Sequence, residues 1–175
     1  MEDSLYWPLS HDGRYSCKLG YRFLKEEAEP ALERNQVALE TQLWKKLWML
    51  DIPNKVKNHV WTACRDSLPT KQNLTQRTII TNPLCDRCKQ LPETMLHAVW
   101  ACPKLDEILT DSIQWGFCRN RRFLDFKELL SWVIQEQRNV ELFAMTVWSV
   151  WTQRNQARLN KPHCPLSSIV SSAKA

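Results

Sequence analysis

The chain has 175 residues, of which 43% are hydrophobic and nine are tryptophan, so it can form at least one packed domain. Only three glycines are present, which argues against a turn-rich β-sandwich or β-barrel. The N-terminus has no basic region followed by an apolar run, and the apolar run Leu142 to Trp151 is far shorter than the ~20 residues that span a membrane. We therefore expect an intracellular protein, with the nucleus as a candidate compartment, that is neither secreted nor membrane-bound.

The first forty residues predict a hairpin, a helix and a loop. Leu5, Trp7 and Leu9 alternate with other residues before the turn signal His11-Asp12-Gly13, and together they indicate a small β-hairpin over residues 3–17. A helix follows, because apolar residues from Cys17 to Ala28 recur at helical spacing. The glutamate-rich stretch after it predicts an acidic loop that runs to about Glu40.

Three further helices are predicted between that loop and residue 77. The first carries Leu43, Trp44, Leu47 and Trp48 on one face, and Asp51-Ile52-Pro53 ends it. The next turns Val56, Val60, Ala63 and Cys64 inward. Thr70 is then placed as the N-cap of a short helix that ends near Arg77.

Three cysteines and one histidine follow with the spacing C-x2-C-x8-H-x4-C: Cys85, Cys88, His97 and Cys102. This donor set and spacing are typical of a structural zinc site, whereas each residue taken alone is more typical of a protein core. His97 and Cys102 are five residues apart, or about 140° around an α-helix, so both cannot face one metal if the helix continues. Pro103 disfavours helical angles at Cys102, and we therefore expect the helix to end near Ala101 with Cys102 turned back.

The C-terminal third predicts two helices. Asp125-Phe-Lys-Glu128 is a capping-box pattern that opens a helix with Phe126, Leu129, Leu130, Val133 and Ile134 on one face. Asn139 caps a longer helix, and Arg154 and Arg158 near its end match the helix dipole. This helix is expected to bury Phe143, Val147 and Trp151 against the preceding one, and its other side needs a further cover, from the zinc module or from a domain outside this chain.

Positive charge is concentrated beside the cysteines. The net charge of the chain is +5, but Lys45 to Lys89 holds nine basic and three acidic residues and is therefore +6. Such a tract indicates nucleic acid as a partner, although a solvated helix face has a similar composition. The side chains expected to contact phosphates are Lys55, Lys57, Lys71, Arg87 and Lys89. Because zinc knuckles favour unpaired strands, we expect weak, salt-dependent binding of RNA or DNA, preferably single-stranded.

Several segments, in this order, resemble the zinc-binding domain of reverse transcriptases in plant non-LTR (LINE-type) retroelement polyproteins. The resemblance covers about residues 3–115. The segments are Asp3-Ser-Leu-Tyr-Trp7 with Asp12-Gly-Arg-Tyr-Ser16 and Tyr21; Trp44 to Trp48; Ile52-Pro-Asn-Lys-Val-Lys57 with Trp61; Ser67-Leu-Pro-Thr70 with Asn73-Leu74; and Cys85-x2-Cys88 through Glu93-Thr94, His97 and Cys102. The family pattern implies the same four metal ligands. The later tract with Trp148, Trp151 and Arg154-Asn155 resembles part of the connector toward a ribonuclease H domain.

Together these features predict a mainly α-helical fold with a small N-terminal β-hairpin, a zinc-binding hairpin and helix of the CCHC type, and a C-terminal helical pair. The predicted organisation is a zinc-binding module over residues 1–115, a helical connector over 116–160 and a disordered tail over 161–175. The resemblance implies reverse transcriptase or ribonuclease H domains of a parent polyprotein as partners.

The sequence offers no catalytic machinery. No paired aspartates typical of a polymerase palm, no phosphate-binding glycine loop and no G-x-S-x-G are present, and His11, His59 and His163 lack suitable partners. We therefore predict a non-catalytic zinc module of a retroelement, as a fragment or a domesticated remnant, that assists template binding. The alternatives are a protein-interaction module built on the C-terminal Trp-rich helix, and a chain that carries a ribonuclease H name only by inheritance from its parent polyprotein.

Overall fold

The structure is a computed structural model that describes residues 6–8, 10–28, 31–109, 121–163 and 165, and these residues are mainly helical. Within them the only β-pairing is an isolated antiparallel bridge between Leu84 and Pro92. The chain divides into two compact units, Met1–Leu43 and Trp44–Ala175. The helices in chain order are α1 (Cys17–Ala28), α2 (Ala31–Met49), α3 (Asn54–Cys64), α4 (Lys71–Gln76), the π-helical segment (His97–Ala101), α5 (Pro103–Leu109), α6 (Phe126–Gln135) and α7 (Val140–Arg158).

The predicted N-terminal β-hairpin was wrong: residues 6–8 and 10–16 contain no strand. The turn itself is present, since Gly13 has a φ of 70° and its carbonyl accepts a hydrogen bond from the Trp7 amide at 2.7 Å. Helix α1 begins four residues later at Cys17, with Ser16 Oγ accepting from the Leu19 amide at 3.3 Å. The chain after the turn is therefore too short to pair as a second strand. The Trp7 ring instead meets Tyr15 and Phe23 edge-on, with centroids 5.0 and 6.3 Å away.

The acidic loop predicted up to about Glu40 was also wrong, because α2 begins at Ala31. Residues 31–40 read ALERNQVALE, in which most positions are strong helix formers. Pro30 precedes them, where a proline is compatible with the start of a helix. Local helix propensity therefore outweighs the acidic composition that suggested a loop.

The second unit has its core between α3, α6 and α7. The predicted inward residues Val56, Val60 and Ala63 of α3 are fully buried, and Cys64 is half-buried. All five residues of the predicted α6 face are buried as well. The three predicted N-caps are confirmed: Thr70, Asp125 and Asn139 accept hydrogen bonds from the amides three residues later at 3.2, 2.8 and 2.8 Å.

Helix α7 packs against more than one other element of this unit. Phe143, Val147 and Trp151 are buried, as predicted. The expected contact with α6 includes Phe126, whose ring stacks on that of Phe143 with centroids 6.0 Å apart. However, α7 packs mainly against α3 and the π-helical segment, where the Trp100 and Phe143 centroids are 5.5 Å apart. The further cover that the sequence required thus comes from the zinc module.

No helix among the described residues combines the length and the apolarity needed to cross a membrane.

Candidate metal centre and its basic surroundings

The first two cysteines lie in a short turn. The chain folds back on itself after Pro83, because the Cys85 amide donates to the Leu91 carbonyl and the Glu93 amide to the Pro83 carbonyl, both at 2.8 Å. The Lys89 amide closes the turn by donating to the Cys85 carbonyl at 2.9 Å, and Lys89 itself has a φ of 57°. This turn, called the zinc knuckle below (residues 83–93), directs the first two thiols to the same side.

The other two donors are placed by the π-helical segment. Thr94 begins this turn, since its hydroxyl accepts from the His97 amide at 3.0 Å. A π-helix pairs residues i and i+5, so it brings positions 97 and 102 much closer to one face than an α-helix would. Cys102 then adopts an extended conformation, with φ −70° and ψ 127°, directly before Pro103. The prediction of a helix that ends at Ala101 with Cys102 turned back is confirmed, and the π-helical turn is the feature that the sequence did not reveal.

The four donor atoms of Cys85, Cys88, His97 and Cys102 all lie within 4.8 Å of one another. The Cys85 and Cys102 sulfurs are 3.9 Å apart, and Cys88 Sγ is 3.4 Å from His97 Nε2. A tetrahedral zinc ion with Zn–S bonds of about 2.3 Å and Zn–N bonds of about 2.0 Å separates such atoms by roughly 3.8 and 3.5 Å. Cys85, His97 and Cys102 are buried and Cys88 is half-buried. The donor set and its spacing therefore fit a closed tetrahedral metal site without an open position for water.

The electrostatics of the cluster favour the thiolate form of Cys85 and Cys88 and the protonated form of Cys102. The hydrogen bond with Cys102 is the main cause that lowers the pKa of Cys85, while the same hydrogen bond and burial raise the pKa of Cys102, so the two sulfurs share one proton. Burial opposes ionisation of Cys88, but the backbone amides of Gln90 and Leu91 outweigh it and leave its pKa lowered. Burial also acts against a charged His97, yet the Cys85 and Cys88 sulfurs raise its pKa overall. The negative charge on these sulfurs would stabilise a bound metal cation.

Comparison with known proteins gives a family for this architecture. The family model described as zinc-binding in reverse transcriptase matches residues 15–108, which is more than half of the chain. The chain belongs to this family. A putative ribonuclease H protein of Arabidopsis thaliana is 25% identical over 161 residues, which cover 87% of this chain but 24% of that protein. The chain thus spans about a quarter of the length of this relative. No solved structure matches the present chain.

The matched reverse-transcriptase zinc-binding domain is non-catalytic. Among the described residues, the only group of three or more histidine, cysteine or carboxylate side chains able to hold a metal is the Cys3His cluster. A two-metal nuclease or polymerase centre instead needs several converging carboxylates.

Arg87, inside the zinc knuckle, points into the protein. Its guanidinium donates to the carbonyls of Ala98 and Val150 at 2.6 and 2.9 Å and to Gln153 Oε1 at 3.2 Å. Burial lowers its pKa, although the nearby Cys102 and Cys85 sulfurs act in the opposite direction. Arg87 therefore fastens the knuckle to α7, and both of its terminal nitrogens are engaged by protein acceptors.

Glu93 and Arg154 form a second link between the zinc knuckle and α7. Their side chains are 2% and 3% exposed, and both guanidinium Nε and Nη2 reach the carboxylate. Glu93 Oε1 also accepts from the Lys71 amide at 2.9 Å, so the first turn of α4 joins the same network. The sequence predicted an interaction of Arg154 with the helix dipole but no buried ion pair. The sequence feature that could have indicated this pair is that Glu93 and Arg154 both lie in segments that resemble the retroelement polyproteins.

The remaining predicted phosphate contacts, all lysines, differ in their accessibility. Lys89 is 71% exposed, Lys55 is exposed on α3, and Lys57 of the same helix is half-buried. Lys55 Nζ lies 4.7 Å from the centroid of the Trp148 ring, and Lys57 Nζ donates to the Trp48 carbonyl at 3.1 Å. Lys71 is only 12% exposed and pairs with Asp86 at 2.8 Å. Two of these lysines, Lys71 and Lys89, thus meet at Asp86, beside the zinc knuckle.

Proposed function

We propose that this chain is a structural zinc module, in which Cys85, Cys88, His97 and Cys102 hold one Zn²⁺ ion. The observation that carries the proposal is the approach of three sulfurs and one imidazole nitrogen to within 4.8 Å, inside the region that the family model matches. Three thiolates favour zinc over the oxygen-preferring Mg²⁺ and Ca²⁺. Four protein ligands leave the metal closed, so it stabilises the fold and activates no water.

We further propose that the module binds RNA or DNA, preferably single-stranded, through the phosphate backbone. The support is the +6 tract and the exposure of Lys55 and Lys89, while Lys57 and Lys71 are less exposed members of the same tract. Arg87, included from the sequence, takes a structural role in this proposal because its guanidinium is bound by protein acceptors. Most tryptophans are half-buried or buried, so charge rather than base stacking would dominate the affinity.

The biological setting that we propose is a retroelement polyprotein or a remnant of one, in which the module assists template binding by reverse transcriptase or ribonuclease H domains. The family name and the name of the Arabidopsis relative support this setting. We also propose an intracellular, including nuclear, location, because three thiol ligands must stay reduced to hold metal.

The alternative of a protein-interaction module on the Trp-rich helix has less support. Trp151 is 6% exposed, and Trp148 is half-buried with Lys55 over its ring. Since α7 packs against α3 and the π-helical segment, the apolar surface that this alternative requires is already covered within the second unit.

The test combines zinc analysis with a binding titration. Zinc-loaded protein is titrated into labelled single-stranded RNA, single-stranded DNA and duplex DNA by fluorescence anisotropy at several salt concentrations. With about four phosphates contacted, the log–log salt slope on a single strand should be near −3. Lys57→Gln with Lys89→Gln should weaken binding to all sequences alike and flatten this slope.

The matched control is Lys18→Gln with Arg122→Gln, which removes the same charge from exposed positions outside the basic tract. No binding to any nucleic acid at low salt, with the zinc site filled, would refute the nucleic-acid part of the proposal. A zinc content below about 0.2 per chain, against one expected site, would refute the metal part.

A further inference from the structure

A groove of about 370 Å³ lies between the zinc knuckle and the last turns of α7. Its walls are formed by Asp86, Arg87 and Glu93 from the knuckle and by Gln153, Arg154 and Arg158 from α7. This volume is within the range of small-ligand pockets. The groove is distinct from the metal cluster, and neither the family match nor the sequence motifs assign it a ligand.

The fixed charges around this groove do not cancel. Arg154 is neutralised by Glu93, and Arg87 lies beside the cysteine sulfurs, which together with zinc would carry a net charge of −1. The remaining carboxylate, Asp86, faces three cations: Lys71 Nζ at 2.8 Å, Lys89 Nζ at 3.2 Å and Arg158 Nε at 3.8 Å. Three positive charges and one negative charge leave a local surplus of +2 at the rim.

The three cations are held in place before any ligand arrives. Asp86 Oδ1 accepts hydrogen bonds from both lysines, and Asp86 Oδ2 lies beside Arg158 Nε. Arg158 is 28% exposed, and its guanidinium is the planar donor that suits a phosphate in bidentate geometry. Organised donors bind an anion with less loss of side-chain entropy than free lysines do.

We propose that this groove receives one backbone phosphate of the bound nucleic-acid strand, with Arg158 and Lys89 as the contacting cations and Asp86 as the residue that positions them. This inference rests on the proposed nucleic-acid binding and specifies where the strand runs. It extends the contact surface from the tract Lys45 to Lys89 to the end of α7, which the sequence had assigned to a connector.

The experiment uses the zinc-loaded full chain and labelled single-stranded RNA and DNA at about 50 mM salt, where phosphate contacts are strong. Arg158→Gln should weaken binding about fivefold and reduce the steepness of the salt slope by about 0.7. Asp86→Asn keeps an oxygen that can accept hydrogen bonds from the two lysines but removes the competing negative charge, so it should strengthen binding by a similar factor. The matched control, Arg122→Gln, removes one exposed arginine outside the groove and should change affinity less than twofold.

The outcomes separate the two proposals. Wild-type protein that binds no strand refutes the nucleic-acid function and this inference together. Wild-type binding with Arg158→Gln indistinguishable from Arg122→Gln overturns the groove alone and leaves the function in place. Weaker binding by Asp86→Asn with zinc content unchanged also overturns the groove. Zinc stoichiometry verifies that each variant is folded. If Asp86→Asn loses zinc, the comparison of Arg158→Gln with Arg122→Gln decides whether the groove binds a phosphate.

Discussion

Glu93 and Arg154 are 61 positions apart in sequence and form an ion pair that is almost completely excluded from solvent. The guanidinium also lies over the Trp151 ring, 4.6 Å from its centroid, and donates to Asn155 Oδ1 at 2.7 Å. The carboxylate accepts the Lys71 amide in addition. This pair therefore joins the zinc knuckle, α4 and α7 in one buried polar network.

Removal of one partner from this network should be costly. Arg154→Leu leaves the Glu93 carboxylate buried without its cation, and we expect a loss of about 3 to 5 kcal/mol in the free energy of unfolding. Because Glu93→Gln neutralises that carboxylate, the double variant should lose less than the two single variants combined. Urea denaturation of the four proteins gives the coupling energy.

Arg158→Leu is the control, because Arg158 is partly exposed and its ion pair with Asp86 is long, at 3.8 Å. This substitution should lower the free energy of unfolding by less than about 1 kcal/mol. Equal losses from Arg154→Leu and Arg158→Leu, or strict additivity in the cycle, would show that the buried pair does not stabilise the fold in this way.

Loss of one metal ligand should release zinc and the structure around it. Cys88→Ser is expected to lose zinc and the helicity near His97, because zinc affinity and folding are coupled. Cys17→Ser is the control, as Cys17 is exposed on α1 outside the cluster. Elemental analysis and far-UV circular dichroism of both variants provide the measurement. Zinc retained at full stoichiometry in Cys88→Ser would mean that a different thiol completes the site.

Zinc affinity should fall as the pH falls. The bound form needs three thiolates and a neutral imidazole, so protons compete with the metal and each pH unit downward favours release. A metallochromic dye titration between pH 8 and pH 5 measures the trend. Cys64 should not contribute, because burial, aided by the Asp125 carboxylate, raises the pKa of its thiol to about 12. Affinity independent of pH would contradict coordination by thiolates.

His59 should make the fold acid-sensitive. It is buried in α3, its ring centroid is 5.8 Å from that of Trp151, and burial lowers its pKa from 6.5 to about 4. Between pH 6.5 and about pH 4, His59 is therefore protonated in the unfolded chain but neutral in the folded chain. The resulting stability is fully present above pH 6.5 and is lost as the pH falls toward 4.

We expect His59 to account for roughly 2 kcal/mol of destabilisation between pH 7.5 and pH 5. His59→Leu should remove this component and should be no less stable at pH 7.5, since His59 Nε2 is buried without a hydrogen-bond partner. Urea denaturation of both proteins at the two pH values gives the difference. A pH dependence identical in the two proteins would contradict the assignment.

A chain that ends at residue 115 should be a poor zinc module. It lacks Val150 and Gln153, which accept from Arg87, and Arg154, which neutralises Glu93. The apolar side of the π-helical segment, including Trp100, would also lose its contact with Phe143. We expect weaker zinc binding and self-association through the exposed patch, measured by competition with a chelator and by sedimentation.

The outcome bears on the domain boundaries expected at residues 115 and 160, which stay a prediction because 110–120 and most of 161–175 lie outside the described residues. A monomeric short chain with the zinc affinity of the full chain would show that the module folds without α7.

No nuclease or polymerase activity is expected from this chain with magnesium or manganese. The described residues hold no carboxylate cluster for a pair of divalent ions, and the matched family is a non-catalytic zinc-binding domain. An RNA–DNA hybrid and a primed template are suitable substrates. Cleavage or extension that survives repurification and is abolished by a single Asp or Glu substitution would contradict this expectation.

The sequence by itself determined the four candidate ligands, the three helix N-caps and the inward faces of α3 and α6. These features are local: a C-x2-C turn, a side chain that caps its own helix and an apolar stripe depend on residues close in the chain. The predictions of an N-terminal hairpin and of an acidic loop were wrong. The first relied on a short alternating pattern and the second on composition, and in both regions a helix begins nearby.

Only the tertiary structure decided the direction of each charged side chain. Arg87 and Arg154 have the same charge as Lys89, yet the arginines turn inward to carbonyls and to Glu93, whereas Lys89 stays in solvent. It also decided that α7 covers the zinc module, because periodicity shows which face of a helix is buried but not the element that buries it. Both depend on contacts between residues far apart in the chain, which local sequence patterns do not encode.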